Sequence, residues 1–167
     1  MIMSGKTEKK TTENQKNPVS RKHRAIGLLL FLLYLMLLTY FLFFSEGMGR
    51  TERADVRYRY NLRLFHEIRR FWKFRHVVGM KAFLINTAGN VAAFVPFGFF
   101  LPAVTEKSRV FLRTLLSGFL FSFLIEVVQC LTGAGIFDVD DIFLNSLGCA
   151  LGYLSFAAVM KVRSMRG

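Results

Sequence analysis

Four stretches of this chain are apolar for about twenty residues at a time, and that length constrains everything else. They run over residues 25–44, 82–104, 110–132 and 141–160. A helix rises ~1.5 Å per residue, so each stretch is long enough to cross the roughly 30 Å hydrocarbon layer of a bilayer. The apolar residues come in blocks, not at the spacing of a half-buried helix or strand. Backbone polar groups in hydrocarbon must be bonded within their own segment, which makes each block helical. The expected fold is an all-α, polytopic membrane protein with four transmembrane helices. The 167 residues leave room for one such domain, residues 25–160.

The formal charge is +12, and the Lys and Arg avoid the blocks and fill the segments between them. In a soluble chain such a surplus suggests nucleic acid. No recognition motif accompanies it here, so no nucleic-acid partner is expected. Basic segments beside spans set topology and attract anionic headgroups, which makes membrane lipids the expected partner. Residues 1–24 form a polar tail with Lys6, Lys9, Lys10, Lys16, Arg21, Lys22 and Arg24, expected to be disordered and cytoplasmic. The first block follows these basic residues as a signal peptide would. It is too long for that, and Phe43-Phe44-Ser45-Glu46 offers no small-x-small cleavage site, so it reads as a retained anchor.

With four spans, the basic amino-terminal tail, the 105–109 turn and the basic 161–167 tail fall on one side. That side is expected to be the cytoplasm, with both termini inside and the acidic 133–140 loop outside. Residues 45–81 carry ten Lys and Arg and run against this rule unless they lie on the outer membrane surface. Within them, Leu64, Ile68, Phe71 or Trp72, and Arg75 recur at helical spacing, while Arg63, Glu67, Arg70 and Lys73 face away. The pattern predicts a basic amphipathic helix over 58–78, either at the headgroup layer or packed on the ends of the spans. Cys130 and Cys149 match no zinc or redox spacing, and their different depths argue against a disulfide.

The last three blocks hold polar residues that simple spans do not need. The second has Asn86, Asn90, Pro96, Gly98 and Pro102; the third has Ser122, Glu126 and Gln129; the fourth has Asp141, Asn145, Gly148 and Gly152. Pro96 removes a backbone hydrogen bond and predicts a kink or a broken turn, and Gly98 adds slack. Helical spacing puts each polar set on one face, and alternating span direction brings the sets to the same end of the bundle. The expectation is a pocket lined by Asn86, Asn90, Glu126, Gln129, Asp138, Asp141 and Asn145. Gly148 and Gly152 form a small-xxx-small pair that lets another backbone approach. The blander alternatives are capping of the fourth helix by Asp138, Asp140 or Asp141, and helix bridging by Asn90. Glu126, about two turns inside the membrane, is functional by default.

These residues form an ordered set. Asn90 to Gly98 (NVAAFVPFG), Ile125 to Gln129 (IEVVQ) and Phe137 to Tyr153 (FDVDDIFLNSLGCALGY) resemble the VanZ-like family of small bacterial membrane proteins. Tyr60 to Phe65 resembles the family's segment before the second span, and the likeness covers roughly residues 58–157. Asn90, Pro96, Gly98, Glu126, Gln129, Asp138, Asp141, Asn145 and Gly148 match its pattern. The chain departs from it at Arg63-Leu64, where members often have Pro, and at Gly133-Ala134-Gly135, where members often have Arg. The family is named for a protein implicated in resistance to the glycopeptide teicoplanin, so the resemblance implies a role in the cell envelope.

Three functions compete. The first is a non-enzymatic factor that binds an envelope lipid, a lipid-linked precursor or a lipidated glycopeptide at the polar pocket, and so contributes to antibiotic resistance. The second is a lipid-modifying enzyme. Glu126 with Asp138 or Asp141 would supply acid/base chemistry or hold a divalent cation, though the sequence requires no cofactor. No activated nucleophile is visible, since His66 and His76 lie in the amphipathic segment and His23 in the tail. The third is a small transporter with Glu126 as proton carrier, which four spans could support only as an oligomer, such as a dimer.

Overall fold

The structure, a computed structural model, describes residues 18–44, 60–105 and 110–166. Four helices are long and apolar enough to cross a membrane: α1 (Pro18–Phe44), α4 (Met80–Val104), α5 (Phe111–Thr132) and α6 (Val139–Arg166). Between α1 and α4 come β1 (Tyr60–Asn61), α2 (His66–Lys73) and α3 (Arg75–Val78), and β2 (Phe137–Asp138) lies between α5 and α6. The protein is an all-α polytopic membrane protein in which two short strand pieces tie loops together. β1 pairs in parallel with β2, Tyr60 opposite Phe137 and Asn61 opposite Asp138.

Several boundaries differ from the sequence reading. Residues 18–24 belong to α1 and not to a disordered tail, with Pro18 in the first helical position, where its missing N–H costs nothing. The rest of that tail, residues 1–17, lies outside the described residues. The fourth helix starts two residues early, at Val139, and runs on through the basic residues to Arg166; Arg163 and Arg166 in its last turn suit the negative end of the helix dipole. α4 starts at Met80 and passes Pro96 and Pro102 without the broken turn that Pro96 suggested.

The largest difference is in residues 58–78. The single amphipathic helix does not form across the described part of that range. Phe65 takes a left-handed φ of 63°, and Phe74 leaves helical geometry between α2 and α3. A left-handed non-glycine residue costs roughly 1–2 kcal/mol and persists only where its surroundings hold it. At Phe65 the holding group is a carboxylate from a distant part of the chain, which no local period can reveal.

The glycines explain how α4 and α6 pack. A Cβ on Gly98 would lie 1.9 Å from the Cys149 carbonyl oxygen. On Gly148 it would lie 2.1 Å from the Val91 oxygen, and on Gly152 2.0 Å from the Val95 oxygen. The two backbones therefore touch over more than two turns, the close approach that small residues permit in membranes. Gly98 serves contact rather than slack. Phenylalanines fill the space toward α1 and α5: Phe97 packs 5.6 Å from Phe31, 5.9 Å from Phe94 and 5.4 Å from Phe121, ring centre to ring centre. Cys149 is wholly buried beside this cluster, and neither cysteine is in a disulfide.

The helix directions leave two unlike ends. At one, Gly27 of α1 meets Val104 of α4, and Phe111 of α5 meets Tyr153 of α6. At the other, the end of α1, the start of α4, the end of α5 and the start of α6 converge, and the polar residues gather there.

Candidate functional site

The site is assembled around the short turn between α5 and α6. α5 stops at Gly133, whose φ of 72° provides the left-handed cap, and the Gly135 amide folds back to donate to the Gln129 carbonyl. The reversed chain brings the Asp138 amide to Glu126, whose Oε2 accepts it at 2.9 Å. Glu126 is 4% exposed. Its first visible task is to satisfy a buried backbone donor, which would otherwise cost several kcal/mol in hydrocarbon surroundings.

Asp138 caps α6. Its Oδ1 accepts the Asp140 amide at 2.8 Å and the Asn61 side-chain amide at 3.0 Å. The second bond fixes β1 against β2. Burial raises the Asp138 carboxyl above its ordinary value; the Asp140 amide opposes that shift, the Asp140 charge adds to it, and the Asn61 amide opposes it again.

Asp140 is 1% exposed and turns away from its own helix. Its Oδ1 accepts the amide of Phe65, and its Oδ2 accepts those of Glu67 at 2.8 Å and Ile68 at 3.3 Å. Phe65 is the N-cap of α2 and offers no side-chain cap of its own. A carboxylate from the start of α6 thus caps α2, where both the open amides and the helix dipole favour negative charge. This is why the chain turns left-handed at Phe65 and why the 58–78 segment is not one helix.

The remaining polar residues bridge helices. Asn90 on α4 donates to Asp141 Oδ1 on α6 at 2.6 Å, and both are half-buried. Gln129 on α5 donates to the Leu42 carbonyl near the end of α1 at 3.0 Å, filling one of the bonds a helix end leaves open. Asn145 donates to Ser122 Oγ at 2.9 Å, but among the described residues its own Oδ1 is buried without a hydrogen-bond partner, as is Ser146 Oγ. Asn145 is 2% exposed and lies one turn below Asp141 on α6.

Of the seven pocket residues expected from sequence, six take hydrogen bonds at this end: Asn90, Glu126, Gln129, Asp138, Asp141 and Asn145. Asn86, one turn before Asn90, is exposed and stands outside this network. Pro96, Gly98, Gly148 and Gly152 lie along the α4–α6 seam. Sequence reasoning missed Asn61, for which no local signal exists, and the reach of Asp140. One signal for Asp140 was available: in Asp138-Val139-Asp140-Asp141, successive acids point to different sides of a helix start, so they cannot all cap the same helix.

The arrangement accepts and donates hydrogen bonds, many of them to backbone amides. Among the described residues, no group of three His, Cys, Asp or Glu is placed to hold a metal ion. His66 pairs with Glu67, a largely covered side chain that also pairs with the exposed Arg70 at 3.0 Å. Comparison with known proteins gives one family: a family model described as VanZ/LLP1 matches residues 31–161. No match was found among curated proteins or solved structures.

Proposed function

The chain belongs to the VanZ/LLP1 family of membrane proteins, and from that premise we propose that it is a non-enzymatic envelope factor that binds a lipid-borne ligand at its polar end. The ligand class is a headgroup rich in hydroxyl and amide donors, as in an envelope lipid, a lipid-linked precursor or a lipidated glycopeptide. The observation that carries this reading is the unpartnered, buried Oδ1 of Asn145 beneath the half-buried Asn90–Asp141 bridge. A buried acceptor without a donor is expensive, and a ligand donor entering beside Asp141 would satisfy it. Glu126, Asp138 and Asp140 meanwhile hold backbone amides, which suits a fixed binding frame more than acid/base turnover. A contribution to glycopeptide resistance follows if the ligand is teicoplanin or its target. The setting is the bacterial plasma membrane, with both termini in the cytoplasm and the polar end facing outward.

Native mass spectrometry tests this, on protein extracted with its lipids and on protein given teicoplanin. The wild type should retain a defined adduct that Asp141→Asn and Asn145→Ala lose while keeping wild-type helicity. No adduct on either probe, or one that both variants keep, would remove ligand binding at this end.

A further inference from the structure

The polar end separates its charges. The acids turn inward: Asp138 and Asp140 are buried, and Glu67 is largely covered and paired to Arg70. The cations turn outward: Arg63, Arg69, Arg70 and Lys73 are all exposed. Between them, apolar side chains stand exposed instead of packing inward, among them Leu62, Leu64, Trp72 and Val77. A soluble surface gains nothing from such a mixture, whereas the headgroup layer solvates both kinds of group.

The packing fixes the level at which this surface lies. The Trp72 ring meets Phe83 edge-on at 5.7 Å, and Phe83 is the first residue of the apolar stretch of α4. Phe65 meets Phe143, in the second turn of α6, at 5.2 Å. Asp140 holds the start of α2 to the start of α6. The segment therefore lies across the ends of two spans, at the boundary between hydrocarbon and water. Arg75 stacks on Trp72, 4.5 Å from the ring centre, and donates to the Trp72 carbonyl, so a cation is held against the aromatic ring.

We propose that α2 and its flanks form a docking surface for the phosphate groups of anionic phospholipids. Arg63, Arg69 and Lys73 make the charge contacts, and Trp72 sits among the headgroups. Among the described residues the neighbouring acids are already committed, so neutral headgroups would leave these cations without a net counter-charge. Its contact residues, Arg63, Arg69, Trp72 and Lys73, are not those of the ligand reading above; Asp140 positions both, but the test below reads the basic surface alone. It also supplies a physical reason for basic residues between the first two spans, where topology rules alone leave them unexplained.

Trp72 is the only tryptophan in the chain, which makes it the reporter. The full-length protein is placed in nanodiscs of phosphatidylcholine alone and in discs of equal parts phosphatidylcholine and phosphatidylglycerol. Trp72 emission and its quenching by acrylamide are then recorded. In the anionic discs, emission should move to shorter wavelength and quenching should fall. About 1 M NaCl, where the Debye length is ~3 Å, should reverse both. Arg63→Gln/Arg69→Gln/Lys73→Gln should lose the difference between discs, and Arg63→Lys/Arg69→Lys should keep it. A wild-type signal that is the same in both discs, or a salt-insensitive one, overturns the proposal and leaves these cations to a partner such as an acidic protein. A lipid response that survives the triple Gln change overturns it as well. The wild-type salt titration decides the matter even if the triple variant folds poorly.

Discussion

Replacing Gly148 by Ala should loosen the contact that sets the spacing of α4 and α6. The added Cβ would lie 2.1 Å from the Val91 carbonyl oxygen, and real Cβ contacts essentially never fall under 3.0 Å, so one helix must retreat by about 0.9 Å. The obstructing atom is backbone, so no side chain can swing aside. Overpacking of this kind costs about 1–3 kcal/mol, and Ala returns up to ~1 kcal/mol over Gly in helix propensity. Because the obstacle is backbone we take the upper end of that range, about 3 less ~1, so the net loss is about 2 kcal/mol, or roughly 30-fold in the ratio of folded to unfolded protein. Asn90 is next to Val91, and Asp141 lies two turns before Gly148, so the same movement strains their 2.6 Å hydrogen bond. Gly89 is the control: it lies in α4, and no described residue comes within 4 Å of the position a Cβ would take. Gly89→Ala should be neutral or stabilising. The assay is reversible unfolding by SDS titration in mixed micelles, followed by far-ultraviolet circular dichroism. Equal midpoints for Gly148→Ala and Gly89→Ala would refute the backbone-contact account.

Two further outcomes concern the polar end and a third the two cysteines. Asp140→Ala removes the acceptor of three amides and should speed hydrogen exchange at Phe65, Glu67 and Ile68 by roughly 30- to 150-fold, from a loss of about 2–3 kcal/mol; unchanged exchange there would sink the capping role. The Asp138 carboxyl is raised in the folded state, so above the unfolded value of 3.8 the folded state holds this proton more tightly than the unfolded one. Its contribution therefore favours folding at low pH and is lost as pH rises from 3.8 through the folded value; Asp138→Asn should flatten that slope in SDS midpoints measured across the window, and an identical slope in both proteins would contradict the assignment. Maleimide should modify half-buried Cys130 before wholly buried Cys149, with Cys149 reacting only after unfolding, as peptide mass spectrometry of timed samples would show.

The bundle was legible because lipid imposes few solutions. Block length gave the four spans, and helical spacing put Asn90, Glu126, Gln129, Asp141 and Asn145 at one end with Gly148 and Gly152 on a close-packing face. What stayed hidden depends on residues far apart in sequence. The period of Leu64, Ile68 and Trp72 runs straight through Phe65, so a local reading continues the helix. Only the Asp140 carboxylate, accepting the amides of Phe65, Glu67 and Ile68, selects the left-handed turn. The β1–β2 pairing is two residues long and leaves no alternating pattern to read. Asn86 shows the opposite error: its spacing from Asn90 is right for a shared face, but that face turns outward one turn earlier.

The cap on α2 also imposes an order on how the protein is made. Asp140 follows Phe65 by 75 residues. At about 5–20 residues per second, the ribosome needs roughly 4–15 s to reach it after Phe65 is added. During that interval α4 and α5 can be synthesised while the amides at the start of α2 await their carboxylate. The segment before the second span can therefore settle only when the final helix begins to appear, so the polar end closes near the end of synthesis.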